Sequence, residues 1–208
     1  MTFVCFDLNE TLITNATWLQ LNTTLGVTKE EDKELLRLCE DGKLSYREGQ
    51  KRLEILYRKR GRATEVNIKA ILSDYTFLPG VREMITYLQM KNFTLAILSN
   101  SIDLLVKDVA RHLHIPYAVS NNQFIFDGRG WLKEIIVTDD AAHFKWKQLQ
   151  RLCRKVNSTP RDSFYIGDGE DDREIFLHTK RGITFLDSPV APVAWKTIDR
   201  LTDLKKIL

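Results

Sequence analysis

The chain has 208 residues, enough for one sizeable core or for one core with a small accessory lobe. A hydrophobic fraction of 43% and a charged fraction of 28% are those of an ordinary soluble globular protein and argue against disordered and fibrous classes. The net charge of +3 falls well short of a nucleic-acid-binding tail, no apolar run approaches membrane-spanning length, and Cys5, Cys39 and Cys153 lack any zinc-ligand spacing. With Asp7 already inside the strand-like opening TFVCFDL there is no sign of a targeting leader. The expectation is a soluble, cytoplasmic protein that binds neither nucleic acid nor membrane.

Residues 3–8 carry the β-branched, aromatic and apolar side chains of a short buried strand. From about residue 16 to 75 helix signals dominate. Trp18, Leu21 and Leu25 fall at helical spacing, Thr28-x-x-Glu31 and Ser45-x-x-Glu48 read as capping boxes, and Gly42 and Gly61 stand where those two helices should stop. A segment opened by Thr64, with Ile68, Ile71 and Leu72, completes a small helical bundle. After Pro79-Gly80, Val81, Met84, Ile85 and Leu88 mark an amphipathic helix, and FTLAILS (93–99) reads as a strand buried on both faces. Next come a helix with Ile102, Leu105, Val109 and Leu113 on one face, the segment YAVSN, and a hairpin around FIFDGRGWL. A helix from about 142 to 156, the strand SFYIGD, a helix over 171–180 and the strand GITFL complete the pattern. This alternation predicts an α/β fold with a doubly wound, Rossmann-like parallel sheet. The core is expected over 1–13 and 78–208, with a helical cap inserted at 14–77. Ligands of such sheets bind outside the carboxyl ends of the strands.

Three of the predicted strands end in chemically pointed residues: Asp7, Ser99 and Asp168. Any one of them has an ordinary explanation as a turn former or helix cap. Three such endings together with the acidic run GDGEDD (167–172) point to one polar site at one edge of the sheet.

These residues resemble the motifs of the haloacid dehalogenase superfamily, and within it the phosphoserine phosphatase-like branch. Asp7 followed by LNETL is similar to the first motif, Ser99 in ILSNS to the second, Lys145 in HFKWKQL to the third and IGDGEDD to the fourth. The resemblance spans essentially the whole chain, including the helical insertion and the DGRG hairpin. It implies Mg²⁺-dependent hydrolysis of a small phosphorylated substrate. On that resemblance Asp7 would attack phosphorus and carry an aspartyl-phosphate, splitting one hard displacement into two easier ones. Asp7, the backbone carbonyl of Asn9 and Asp168 suit the oxygen-only ligand field of Mg²⁺, with Asp172 completing the metal set through a water of the ion. Asp171 would share that duty, although the related phosphatases usually have an amide there. Ser99, Asn100 and Ser101 would bind the phosphoryl oxygens, and Lys145 would neutralise both Asp7 and the phosphate. Lys147 is the weaker choice for that ammonium, because a lysine on an exposed helix face is usually just solvated.

Asn9 departs from the pattern. The phosphatases of this superfamily have an aspartate there, which protonates the leaving alkoxide and then activates water. A neutral amide has no proton to give at accessible pH, and such acid–base help is worth about 10²–10⁴ in rate. Glu10, being adjacent, should point away and serve the turn. Four readings stay open: a slow phosphatase restricted to good leaving groups, a phospholigand-binding descendant without turnover, an amide introduced in place of a natural aspartate, and a dehalogenase. The last ranks lowest, since displacement at carbon needs no Mg²⁺ and the acidic fourth motif is intact.

Tyr46, Arg47, Lys51 and Arg52 lie on the helix expected to face the site, and Arg47 and Lys51 are the candidate substrate contacts there. The resemblance aligns Lys51 with an arginine for the carboxylate of phosphoserine and Ala16 with a glutamate for its ammonium. With no acid at Ala16, and SNS in place of a glycine-rich SGG, a phosphomonoester other than phosphoserine is expected. The four histidines, Trp18 and Trp146 read as packing or surface residues.

Overall fold

In the computed structural model, which describes residues 2–14 and 17–208, strand β1 (Phe3–Phe6) lies at the centre of a seven-stranded sheet. The other strands are β2 (Thr94–Ile102), β3 (Tyr117–Phe126), β4 (Leu132–Ile136), β5 (Ser163–Ile166), β6 (Gly182–Phe185) and β7 (Lys196–Ile198). Their order is β4-β3-β2-β1-β5-β6-β7, parallel throughout except for the antiparallel β3–β4 hairpin. The chain winds outward first through β2 and then, returning to the centre, through β5, so the switch point lies between β1 and β5.

All of β1 is buried, and its period of two divides it between the two faces of the sheet. Val4 and Phe6 enter one apolar cluster, and Phe3 and Cys5 enter the other with Leu149, Leu152 and Tyr165. Four helices separate β1 from α5 (Val81–Met90): α1 (Thr17–Thr24), α2 (Lys29–Glu40), α3 (Tyr46–Arg60) and α4 (Glu65–Leu72). Both expected capping boxes form, Thr28 with Glu31 and Ser45 with Glu48. Gly61 ends α3 at φ 68°, the left-handed geometry that glycine adopts without a steric penalty. Leu21, Leu53, Tyr57 and Ile68 from these helices, with Leu25 just after α1, join the same cluster as Val4 and Phe6.

The open edge of the sheet is covered by this helical segment. Glu54 of α3 is fully buried, accepts the Ile135 N–H of β4 at 3.2 Å, and is flanked by Arg58 at 2.6 Å and Lys51 at 3.1 Å. The Leu132 N–H donates to the Ala63 carbonyl, and the Glu65 N–H to the Gly130 carbonyl, each at 2.8 Å. An edge strand closed in this way offers little template for strand addition.

The remaining helices are α6 (Asp103–His112), α7 (Ala141–Lys155) and α8 (Arg173–Thr179). Four details differ from the sequence reading. Strand β2 does not stop at Ser99 but runs to Ile102 through a register shift against β3, a bulge that periodicity does not signal. YAVSN and FIF form one ten-residue strand, β3. The helix expected over 171–180 begins as a 3-10 turn at Glu170–Asp172 and becomes α-helical only at Arg173. Strand β7 has no counterpart in the apolar pattern, because with two of its three residues exposed it lacks the apolar run of its neighbours. Among the described residues no helix is long and apolar enough to cross a membrane.

Candidate active site

Asp7 directly follows β1 and Asp168 follows the neighbouring β5, so both carboxylates stand at the carboxyl edge of the sheet beside the switch point. The Asp7 N–H donates to the Ile166 carbonyl at 2.8 Å, which fixes the backbone where the strand ends. Oxygens of Asp7, Asp168 and Asp172 lie within 4.8 Å of one another. Helix α7, started by the Asp140 side chain accepting the His143 N–H, delivers Lys145 from the other side. Lys145 is fully buried, and its Nζ lies 2.7 Å from Asp172 Oδ1, 2.8 Å from Asp171 Oδ2 and 3.2 Å from Asp7 Oδ1. An ammonium has three N–H donors, and here each has a carboxylate to meet. Lys147, two residues on, is exposed.

Asp172 is held from three directions, by Lys145, by the Tyr165 hydroxyl at 2.7 Å and by the Gly169 N–H at 3.2 Å. Any side chain at Gly167 would run into Asp172 Oδ2, so the close approach requires glycine in the GDG sequence. Asp168 accepts from the Thr11 hydroxyl at 2.8 Å, and its backbone carbonyl accepts from Ser188 Oγ at 2.7 Å. Ser99 is buried, and its Oγ accepts the Ser101 N–H at 3.1 Å. Asn100 donates through Nδ2 to Asp171, while its backbone carbonyl accepts from Asn122 Nδ2 at 2.5 Å. Asn122 in turn meets the hydroxyl of Tyr46 on α3. Asp7 Oδ1, Asn100 Oδ1 and Ser101 Oγ are buried with no hydrogen-bond partner among the described residues, although Asp7 Oδ1 keeps its ion pair with Lys145. Buried polar atoms of native proteins are seldom left so, and three in one place mark a site built for a polar ligand.

Asn9 is half-buried, and its Oδ1 accepts from the Thr17 hydroxyl at the start of α1, at 3.0 Å. Glu10 adopts φ 53° and its N–H donates to the Ile13 carbonyl at 2.8 Å, a turn role. Arg47 and Lys51 make no ion pair with Asp7, Asp168, Asp171 or Asp172 among the described residues. Arg47 lies 3.7 Å from Asp139 and Lys51 3.1 Å from Glu54, each with more than half of its side chain exposed. Glu54, buried against β4, holds Lys51, while Asp139 engages Arg47. Ala16 lies outside the described residues. Sequence reasoning missed Tyr165, Thr11 and Asn122. Tyr165 had one usable signal, since a tyrosine on a fully buried strand needs a partner for its hydroxyl.

Burial pushes the carboxyls of Asp7 and Asp172 up, against the pull of Lys145. Burial likewise raises Asp168 to about 6, opposed by the Thr11 hydrogen bond and aided by the Asp172 charge. At Asp171 burial also raises the carboxyl, but the Lys145 charge and hydrogen bond outweigh it, and the group ends below its ordinary value. Lys145 loses stability as a cation on burial, yet the three carboxylates overcome this and hold it well above the ordinary lysine range.

The donor set fits a hard divalent cation. All of its atoms are carboxylate oxygens, the charge is too high for one ammonium to balance, and their 4.8 Å spread is close to what an octahedral ion with ligands at about 2.1 Å spans. A pH dependence follows. Asp168, at about 6 when folded against 3.8 ordinarily, binds more protons folded than unfolded between those values. The stability it contributes is therefore full below its unfolded pKa and is lost as pH rises through 6, on the order of 2–3 kcal/mol. Thermal melts in chelator are expected to fall by several degrees between pH 5 and 7.5, and saturating Mg²⁺ should reverse most of that fall. A metal-free melting temperature that rises over this interval would contradict the assignment.

A family model, haloacid dehalogenase-like hydrolase, matches residues 4–176. The phosphoserine phosphatase of Methanocaldococcus jannaschii is 26% identical, over 99% of this chain and 95% of its own. That of Wolinella succinogenes is 23% identical, over 100% of this chain and 98% of its own. A haloacid dehalogenase family hydrolase from Salmonella enterica serovar Typhi superposes with a TM-score of 0.81 at 20% identity, over 95% of this chain and 67% of that one, a likeness of fold. With the family model covering most of the chain, and the acidic cluster lying inside the matched span or just before its end, the chain is an enzyme of the haloacid dehalogenase-like hydrolase family, on its phosphoserine phosphatase-like branch.

Proposed function

We propose that this protein hydrolyses a small phosphomonoester with Mg²⁺ through a phospho-Asp7 intermediate, and that Asn9 slows it on substrates with poor leaving groups. The observation that carries this reading is the meeting of Asp7, Asp168, Asp172 and the buried Lys145 at one edge of the sheet. An Asp7 oxygen attacks phosphorus, the ester P–O bond breaks, and the leaving oxygen departs with its electron pair. Water then attacks the same phosphorus, returning the Asp7 carboxylate and releasing phosphate. Lys145 keeps Asp7 ionised and offsets charge on the transferring oxygens. Ser99 contributes its hydroxyl, as does Ser101, whose N–H is already committed to Ser99 Oγ. Mg²⁺, held by Asp7, Asp168 and the Asn9 carbonyl with Asp172 behind them, would supply the positive charge that two approaching anions need.

The helices of 14–77 act in this reading as a cap that excludes water and selects the substrate. The relatives are phosphoserine phosphatases, but here Lys51 is engaged by Glu54 and no acid stands at position 16, which favours a phosphomonoester without an amino group. An acid-quenched mixture of protein, Mg²⁺ and an aryl phosphate is expected to carry phosphate on the peptide containing Asp7, by mass spectrometry. Asp7→Asn should lose both the adduct and phosphate release. Binding of phosphate with no adduct and no turnover would instead identify a phospholigand-binding protein.

A further inference from the structure

We propose that Asp171 is an internal competitor for the phosphoryl site, so that a phosphorylated ligand enters by displacing its carboxylate from Lys145 and Asn100. The proposal rests on the reading of this site as a phosphoryl site and adds to it a residue that sets anion affinity.

Asp171 Oδ2 takes two donors at once, Lys145 Nζ at 2.8 Å and Asn100 Nδ2. Both belong to the group that the phosphatase reading assigns to phosphoryl oxygens. A carboxylate and a phosphoryl group both offer anionic oxygens to such donors. Lys145 has no spare N–H, because Asp7 and Asp172 engage it as well. A phosphoryl group that gains Lys145 must therefore take it from one of three carboxylates.

Burial decides which one yields. The Asp172 side chain is fully buried and has Tyr165 and Gly169 as further donors, so it stays. Asp7 is 10% exposed at its side chain and sits at the end of the central strand. Asp171 is 31% exposed, and it lies in a short 3-10 turn at the mouth of the fourth motif, where its side chain can turn to water. Wherever it turns, its negative charge stays near the entering dianion. Two like charges at about 4 Å repel strongly at a partly buried site, so the native residue weakens phosphate binding and speeds product release.

The test compares inorganic phosphate binding by calorimetry to the wild type, Asp171→Asn and Asp171→Ser, at saturating Mg²⁺ and again in chelator. Both variants remove the charge, and the asparagine keeps the shape. Each is expected to bind phosphate at least tenfold more tightly than the wild type. Glu170→Gln removes an exposed charge paired with Arg173 in the same turn and should shift affinity less than twofold. Equal or weaker phosphate binding by the Asp171 variants would overturn the proposal, as would an equal gain in Glu170→Gln or no phosphate binding by any of the proteins. The aryl phosphate assay separates the two levels. Turnover together with unchanged phosphate affinity defeats the role of Asp171 alone, whereas no turnover, no adduct and no phosphate binding defeats the underlying reading as well.

Discussion

Asn9→Asp is expected to raise the rate of alkyl phosphate hydrolysis by about 10²–10⁴ while changing aryl phosphate hydrolysis by no more than a few-fold. The argument starts from the leaving group. An alkoxide is a strong base and departs readily only if a proton reaches it as the P–O bond breaks, whereas a phenolate departs without that help. An amide cannot supply the proton. The substitution should fit without rearrangement, because Asn9 uses its Oδ1 to accept from Thr17 at 3.0 Å and an aspartate keeps that acceptor. The second oxygen then takes the place of the amide nitrogen, at a half-buried position two residues along the chain from Asp7. The ratio of alkyl to aryl turnover in the two proteins is the measurement. If the ratio does not move, Asn9 is not what limits this chain.

Lys145→Met should be the most damaging single change to stability at the site, by about 3–5 kcal/mol, with loss of phosphate release. Removing the ammonium leaves the carboxylates of Asp7, Asp171 and Asp172 facing one another, and burial denies them water. Asp172 would retain Tyr165 and Gly169, but Asp7 Oδ1 would have nothing among the described residues. Protonation of one or two carboxyls relieves part of the cost, so the loss should be smaller at pH 5 than at pH 7.5. Lys147→Met, on the same helix but exposed, should stay within about 0.5 kcal/mol. Urea unfolding of both variants at the two pH values tests the contrast. A loss below about 1 kcal/mol for Lys145→Met, or equal losses for both variants, would remove Lys145 from the centre of the site.

These two residues also show how far the sequence could be read. That Lys145 and Asp7 belong to one site could be proposed from motif spacing, because each motif sits on an element whose direction the apolar pattern already implies. That Lys145 is shared by three carboxylates could not, since Asp171 and Asp172 differ by one position and only the 3-10 turn decides where each points. The partners of the two α3 cations were not legible for a related reason. Lys51 and Arg47 lie on the expected helix, but their partners are Glu54, buried against β4, and Asp139, far away in the chain.

The sequence by itself determined the local elements and the order in which they come: the buried run of β1, the capping boxes at Thr28 and Ser45, the glycine stop at Gly61, and acidic residues placed after β1 and β5. Each of these depends on neighbours within a few residues, and such preferences survive in any tertiary setting. Only the tertiary structure decided that Tyr165 supports Asp172, that Thr11 holds Asp168, and that the α3 carboxylate of Glu54 closes the edge of β4. Those contacts join residues brought together by packing, and a side chain's partner there follows from burial and from the donors left unpaired after the backbone has folded.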